Sequence, residues 1–264
     1  MGALEAATRL RGDVAANLAF FTRLPIADAG AAPNFRQIAW AAPLAGAIVG
    51  AIGAAALFIG AELGLPDIVD ATLGLSASIA AAGALHEDGL ADVADGFGGG
   101  ATREAKLAIM RDSRLGAYGA IAVGLSLILR IGALSAAMSQ GVGFAVAAML
   151  LTGAVARAGA LAPLAFAAPA RSDGAGASAA RGITPSQFFQ ALAVALVLAV
   201  ALGLAGLGVL RALFAVLIAA GAAQGVVTLA ERQIGGQTGD VAGAAAQAAE
   251  AAALVALLIW LRAP

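Results

Sequence analysis

Long apolar runs separated by short charged stretches organise the chain. A helix crossing about 30 Å of hydrocarbon needs roughly 20 residues. The runs at residues 38–60, 68–85, 117–138, 144–166, 188–208, 212–230 and 244–260 reach or approach that length. They predict an all-α polytopic membrane bundle of about seven transmembrane helices, with one domain over residues 1–264. Residues 15–33 are apolar but interrupted by Arg23, Pro25 and Asp28, which reads as an interfacial or re-entrant piece rather than a span. Residues 169–185, with Ser172, Asp173, Gly174 and Gly176, read as a loop. No pair of matching interrupted spans marks an internal repeat of the transporter kind.

Charge then orients the bundle. Arg9, Arg11, Arg23 and Arg36 precede the first run, and Arg103, Lys106, Arg111 and Arg114 separate the second from the third. Arg171 and Arg181 lie between the fourth and fifth, Arg232 between the sixth and seventh; the opposite loops hold only Arg211, and the tail Arg262. By the positive-inside rule the amino terminus is cytoplasmic and the carboxyl terminus is outside. Composition agrees: 61% of the 264 residues are hydrophobic, only 12% are charged, and mean hydropathy is +0.93. That charged fraction is about half of what soluble domains carry. No cleavable signal peptide is recognisable at the start. The absence of cysteine excludes disulfides, iron–sulfur clusters and thiolate zinc sites. A net charge of −1 with no basic, aromatic-rich patch gives no sign of nucleic-acid binding.

Against this background, His86-Glu-Asp-Gly-Leu-Ala-Asp-Val-Ala-Asp-Gly-Phe-Gly-Gly-Gly100 places four carboxylates within nine residues at the end of an apolar run. Ionised groups are costly near hydrocarbon, so the cluster is a candidate site. Asp88, Asp92 and Asp95, at i, i+4 and i+7, share roughly 60° of one helix face. A solvated, ion-paired helix end would instead scatter its acids and place Lys or Arg four residues on, and none occurs before Arg103. Converging like charges call for a cation, and hard carboxylate oxygens favour Mg²⁺ or Mn²⁺. Downstream, Arg103, Lys106, Arg111, Asp112 and Arg114 suit a diphosphate substrate, although cytoplasmic loops carry such cations without any ligand. Arg157 lies deep enough in its run to need a partner or a polar cavity, whereas Arg130, nearer the outer end of its run, reads as snorkelling. His86, the one histidine, faces away from the three aspartates and is either a packing residue or a base. Gly235-Gly-Gln-Thr-Gly-Asp240 is either a turn whose aspartate caps the next helix or a phosphate cradle ending in a metal ligand.

Together these motifs resemble the cobalamin synthase family of adenosylcobinamide-GDP ribazoletransferases. The matching pieces are Phe20-Phe-Thr-Arg-Leu-Pro25, His86 through Gly96, Arg103 with Ile109-Met-Arg-Asp-Ser-Arg-Leu-Gly116, and Gly235 through Asp240, in the family's order over nearly the whole chain. Glu87 departs from the pattern, standing where many members have an apolar residue. The resemblance implies a multi-pass enzyme of the bacterial cytoplasmic (inner) membrane, with its site facing the cytoplasm. It would join adenosylcobinamide-GDP to α-ribazole or its 5′-phosphate, giving adenosylcobalamin or its 5′-phosphate and GMP. Mg²⁺ would be held by Asp88, Asp92, Asp95 and Asp240, with His86 or an aspartate receiving the hydroxyl proton. Candidate substrate contacts are Arg23, Arg103, Arg111, Asp112, Arg114, Arg157, Gly235, Gly236 and Thr238. Membrane lipid is the surrounding partner, and a homo-oligomer or an association with other cobalamin-assembly enzymes is compatible with such a role. Two rivals are weighed. A CDP-alcohol phosphotransferase would show Asp-Gly two residues before Ala-Arg and longer acidic spacing. A transporter would place ionisable groups at mid-membrane in several spans.

Overall fold

The computed structural model describes residues 2–26, 34–171 and 183–259. Eleven α-helices are described: α1 (Ala3–Phe21), α2 (Phe35–Ile38), α3 (Ala42–Glu62), α4 (Asp67–Ala82), α5 (Leu85–Gly99), α6 (Arg103–Ile109), α7 (Ala117–Met138), α8 (Val142–Phe166), α9 (Pro185–Leu202), α10 (Val209–Ile234) and α11 (Gly239–Leu258). A 3₁₀ turn, Ala39–Ala41, joins α2 to α3, and a π-helical segment, Gly203–Leu207, extends α9. The only strand-like pairing among the described residues is an isolated bridge between Pro169 and Gln237.

Six stretches are long and apolar enough to cross a membrane: Phe35–Glu62, α7, α8, α9 with its π extension, α10 and α11. The protein is therefore a multi-pass membrane helical bundle. The apolar run at 68–85 does not form one straight helix. Gly83 and Ala84 are both left-handed (φ 64° and 55°), so α4 ends at Ala82 and α5 leaves at 87° to it. Hydropathy counts apolar residues and is blind to this break, which a Gly at a helix C-terminus foreshadows. The acidic motif thus lies on α5, a helix too polar to span alone. Residues 27–33 of the interrupted amino-terminal piece, 172–182 of the predicted loop (with Arg181), and 260–264 lie outside the described residues.

α8 is the central helix, with 89% of its apolar window buried, against 28% for α7, which turns Ile121, Leu125, Ile128 and Leu129 outward. Small residues permit the tight packing that replaces the hydrophobic effect between helices in lipid. Where α3 meets α8, a Cβ on Gly46 would stand 2.1 Å from the Gly153 carbonyl oxygen. α1 is an exposed helix docked by its polar residues. Asn17 Nδ2 donates to the Ile38 carbonyl at 2.8 Å, and Trp40 Nε1 donates to Asp13 at 2.9 Å.

Candidate active site

α5 follows the end of α4 and packs against α6, α7 and α11. Its first turn is fixed by the left-handed pair at Gly83 and Ala84, and Ala84 is the one described non-glycine residue with positive φ. Arg23 packs its aliphatic stem over Gly83, while its backbone N–H donates to the Ala81 carbonyl at 2.9 Å. Arg23 therefore braces the α4–α5 break, and its head remains exposed. One turn on, Gly89 lies against α11: a Cβ there would meet the Asp240 carbonyl oxygen at 2.7 Å and the Gly243 Cα at 3.1 Å. This glycine lets the amino-terminal turn of α11 approach the aspartate-bearing helix.

The Gly235–Asp240 turn is built to bring Asp240 there. Gly235 (φ 71°) closes α10 in a left-handed cap. Gly236 (φ 157°) passes so near residue 168 that a Cβ would stand 2.1 Å from its carbonyl oxygen. Gln237 then exchanges backbone hydrogen bonds with the segment after α8, its N–H donating to Ala168 and its carbonyl accepting from Ala170, both at 2.8 Å. Thr238, not Asp240, caps α11, its hydroxyl accepting from the Val241 N–H at 3.3 Å. Asp240 is thereby released from capping. Its Oδ2 accepts from Arg171 Nη2 at 2.6 Å and from the Thr238 hydroxyl at 3.1 Å.

Asp88, Asp92, Asp95 and Asp240 form one electrostatic cluster. Burial pushes the Asp92 carboxyl up to about 7, reinforced by the charges of Asp240, Asp88 and Asp95 and opposed by Arg171. Asp95 already has backbone partners: it accepts from the N–H groups of Gly116 at 2.7 Å and Gly119 at 2.8 Å, and so caps α7 from a neighbouring helix. Asp88 is exposed and Asp92 half-buried, and among the described residues neither side chain has a hydrogen-bond or ion-pair partner. Among the described residues no three carboxylate or imidazole groups stand close enough to hold one metal ion. The donor chemistry and the uncompensated charge suit a hard divalent cation, and Asp88, Asp92 and Asp240 would have to draw closer together to hold one. Asp240 is at present turned to Arg171.

The basic residues after α5 divide. Arg103 is spent on structure, its Nε donating to the Ile234 carbonyl at 2.8 Å and its Nη2 to Ala170 at 2.7 Å, while Lys106 bonds Gln233. Both tie α6 to the end of α10. Arg114 folds back on Asp112, Nε to Oδ1 at 2.9 Å, and those hydrogen bonds hold the exposed Asp112 carboxyl down at about 2. Arg111 is exposed just beyond α6.

His86 and Arg157 lie elsewhere, lining a small cavity of about 20 Å³ bounded also by Glu87, Arg130, Gln247 and Glu250. His86 is 3% exposed with its ring edge toward Phe21, and its Nε2 has no partner, so the structure does not bring it to the aspartates. The snorkelling expected of Arg130 is overturned. Its side chain is 1% exposed, its Nη2 and Nη1 donate to Glu87 Oε1 at 3.1 and 3.2 Å, and Nη1 lies 3.5 Å from Glu250 Oε2. Gln247 Nε2 adds a third bond to Glu87 at 3.0 Å. Glu87, which stands about 100° off the aspartate face and reads equally as a ligand or a bystander, is the anchor of this network. Ionisable groups thus do stand at mid-membrane on α7, α8 and α11, with Arg130 paired to both acids and Arg157 within their fields, so that the formal charges cancel. Arg171, Glu250, Gln247 and Gln237 were missed by sequence reasoning. Only Glu250, a lone acid inside an apolar run, carried a usable signal.

The family model described as cobalamin-5-phosphate synthase matches residues 13–258. The chain belongs to that family. Cobalamin-5-phosphate synthase relatives include proteins named adenosylcobinamide-GDP ribazoletransferase from Azorhizobium caulinodans, 44% identical over 97% of this chain and 98% of the relative, and from Xanthobacter autotrophicus, 42% over 96% and 97%. The protein of that name from Bradyrhizobium diazoefficiens is 42% identical over 85% of each chain. No solved structure matches. The cobalamin-5-phosphate synthase match covers every element that builds the aspartate cluster, from the α4–α5 break to Asp240.

Proposed function

We propose that this protein transfers the adenosylcobinamide phosphoryl group from adenosylcobinamide-GDP to α-ribazole or its 5′-phosphate. The products are adenosylcobalamin, or its 5′-phosphate, and GMP. The reaction is Mg²⁺-dependent and takes place at the cytoplasmic face of a bacterial inner membrane. The observation that carries this reading is the meeting of Asp88 and Asp92 on α5 with Asp240 and Arg171, four groups drawn from three separate segments to one end of the bundle. Relatives of the same length bear the corresponding name.

The ribazole 3′-hydroxyl attacks the cobinamide-side phosphorus, the bond from that phosphorus to the GMP oxygen breaks, and the hydroxyl proton is lost. Bound Mg²⁺ supplies charge neutralisation of the diphosphate and in-line positioning. The protein's own contributions follow from the geometry. Asp88, Asp92 and Asp240 would hold the cation, and Asp95 secures α7 to α5 so that the aspartate face does not rotate. An aspartate of the cluster would receive the hydroxyl proton. His86 is buried away from this face and serves packing. The test is stoichiometry: protein in lipid vesicles with both substrates should release one GMP per adenosylcobalamin formed. GMP released at the same rate without α-ribazole would mark a hydrolase and refute the transfer.

A further inference from the structure

We propose that Arg171 is a diphosphate-binding residue that alternates between two anions, pairing with Asp240 when the site is empty and releasing it to the metal when substrate arrives. This rests on the function proposed above and assigns it a cation that the motif pattern does not contain. The Arg171 guanidinium hydrogen-bonds a member of the aspartate cluster, Asp240, at 2.6 Å, and it opposes the upward push on Asp92. Its position is built. The residue before it is clamped on both sides, with the Ala170 N–H donating to Gln237 at 2.8 Å and the Ala170 carbonyl accepting from Arg103 at 2.7 Å. The Gly236 approach to residue 168 keeps that clamp closed.

Of the other downstream cations, Arg103 is occupied with backbone carbonyls, Lys106 with Gln233 and Arg114 with Asp112. A second observation points to a ligand at this turn: the Gln237 side chain is 1% exposed, and neither its amide nitrogen nor its oxygen has a partner. The guanidinium on Asp240 Oδ2 competes electrostatically with a metal for that carboxylate, so its departure frees the oxygen and strengthens Asp240 as a ligand. A guanidinium fork displaced from a carboxylate matches phosphate oxygens equally well. The arrangement explains why the cluster is open: Arg171 holds one of its members.

The two roles give opposite signs in one variant. Mn²⁺ alone, titrated into purified full-length protein and followed by the electron paramagnetic resonance signal of the free ion, should bind Arg171→Ala roughly three- to fivefold tighter than wild type, because a largely buried competing ion pair is gone. The same variant should lose at least about tenfold in kcat/KM for adenosylcobinamide-GDP. Arg171→Lys, which keeps the charge and the fold but not the fork, should bind Mn²⁺ like wild type and still show a raised KM. Weaker Mn²⁺ binding by Arg171→Ala, or unchanged kcat/KM in both variants, overturns the exchange while leaving the transferase reading intact. Wild-type protein that binds no Mn²⁺ and turns over in EDTA overturns the metal reading and the exchange with it.

Discussion

Removing the Arg130 guanidinium tests whether the mid-membrane network is held by charge balance. Arg130 stands about 20 Å along α7 at 1.5 Å per residue, deep in the hydrocarbon, and is 1% exposed. Arg130 and Arg157 balance Glu87 and Glu250, and Arg157 feels the fields of both acids. Arg130→Met leaves two buried carboxylates facing one cation. Breaking a buried pair in this way costs about 3–5 kcal/mol, and the neighbouring Arg157 places the expectation at the lower end, about 3 kcal/mol. Glu87→Leu alone leaves one excess cation and should cost a similar amount. The double variant restores neutrality, with Arg157 opposite Glu250, and should lose less than about 3 kcal/mol in all, a coupling of at least about 3 kcal/mol. The assay is reversible unfolding in mixed micelles by sodium dodecyl sulfate titration, followed by circular dichroism. An additive double variant, losing about 6 kcal/mol, refutes the charge-balance argument.

Asp92→Asn should abolish transfer and leave the protein folded in detergent. With Asp92 near 7 when folded against an ordinary 3.8, the folded state holds the extra proton, so stability without divalent metal should fall as pH rises from about 4 to about 7. Asp92→Asn should flatten that slope in a thermal-melt series, and an equal slope in both proteins would contradict the assignment. Thr238→Ala should lower stability by about 1 kcal/mol through the lost cap, whereas Asp240→Asn should keep stability and cut turnover at least about tenfold, roughly 1.4 kcal/mol; the reverse pattern in paired melting and rate measurements would return Asp240 to a capping role. In right-side-out vesicles, Ser113→Cys and Glu231→Cys should be protected from a membrane-impermeant thiol reagent and Gln140→Cys labelled. Labelling of either of the first two breaks the shared cytoplasmic face.

Periodicity and hydropathy made much of this bundle legible. The run at 117–138 coincides with α7, and the run at 144–166 falls short of α8 by two residues at its start. The spacing of Asp88, Asp92 and Asp95 placed them on one face, because a helix period acts within a single element. What it does not encode is the partner across helices. Arg130 looked like a snorkelling residue because Glu87 and Glu250, far away in sequence, are its neighbours only in the fold. Asp95 looked like a third ligand because nothing local shows that two N–H groups of α7 reach it. Arg171 looked like one more positive loop residue, its carboxylate partner being 69 positions on. Thr238 was readable as the cap from its position three residues before Val241, and the neighbouring aspartate masked it.

The central claim is that carboxylates at one end of a membrane bundle run a metal-dependent transfer, and GMP release by the purified protein tests it most directly. With adenosylcobinamide-GDP and α-ribazole, release should be rapid in Mg²⁺, fall to background in excess EDTA, and return when Mg²⁺ is added back. Release undiminished in EDTA would contradict the account.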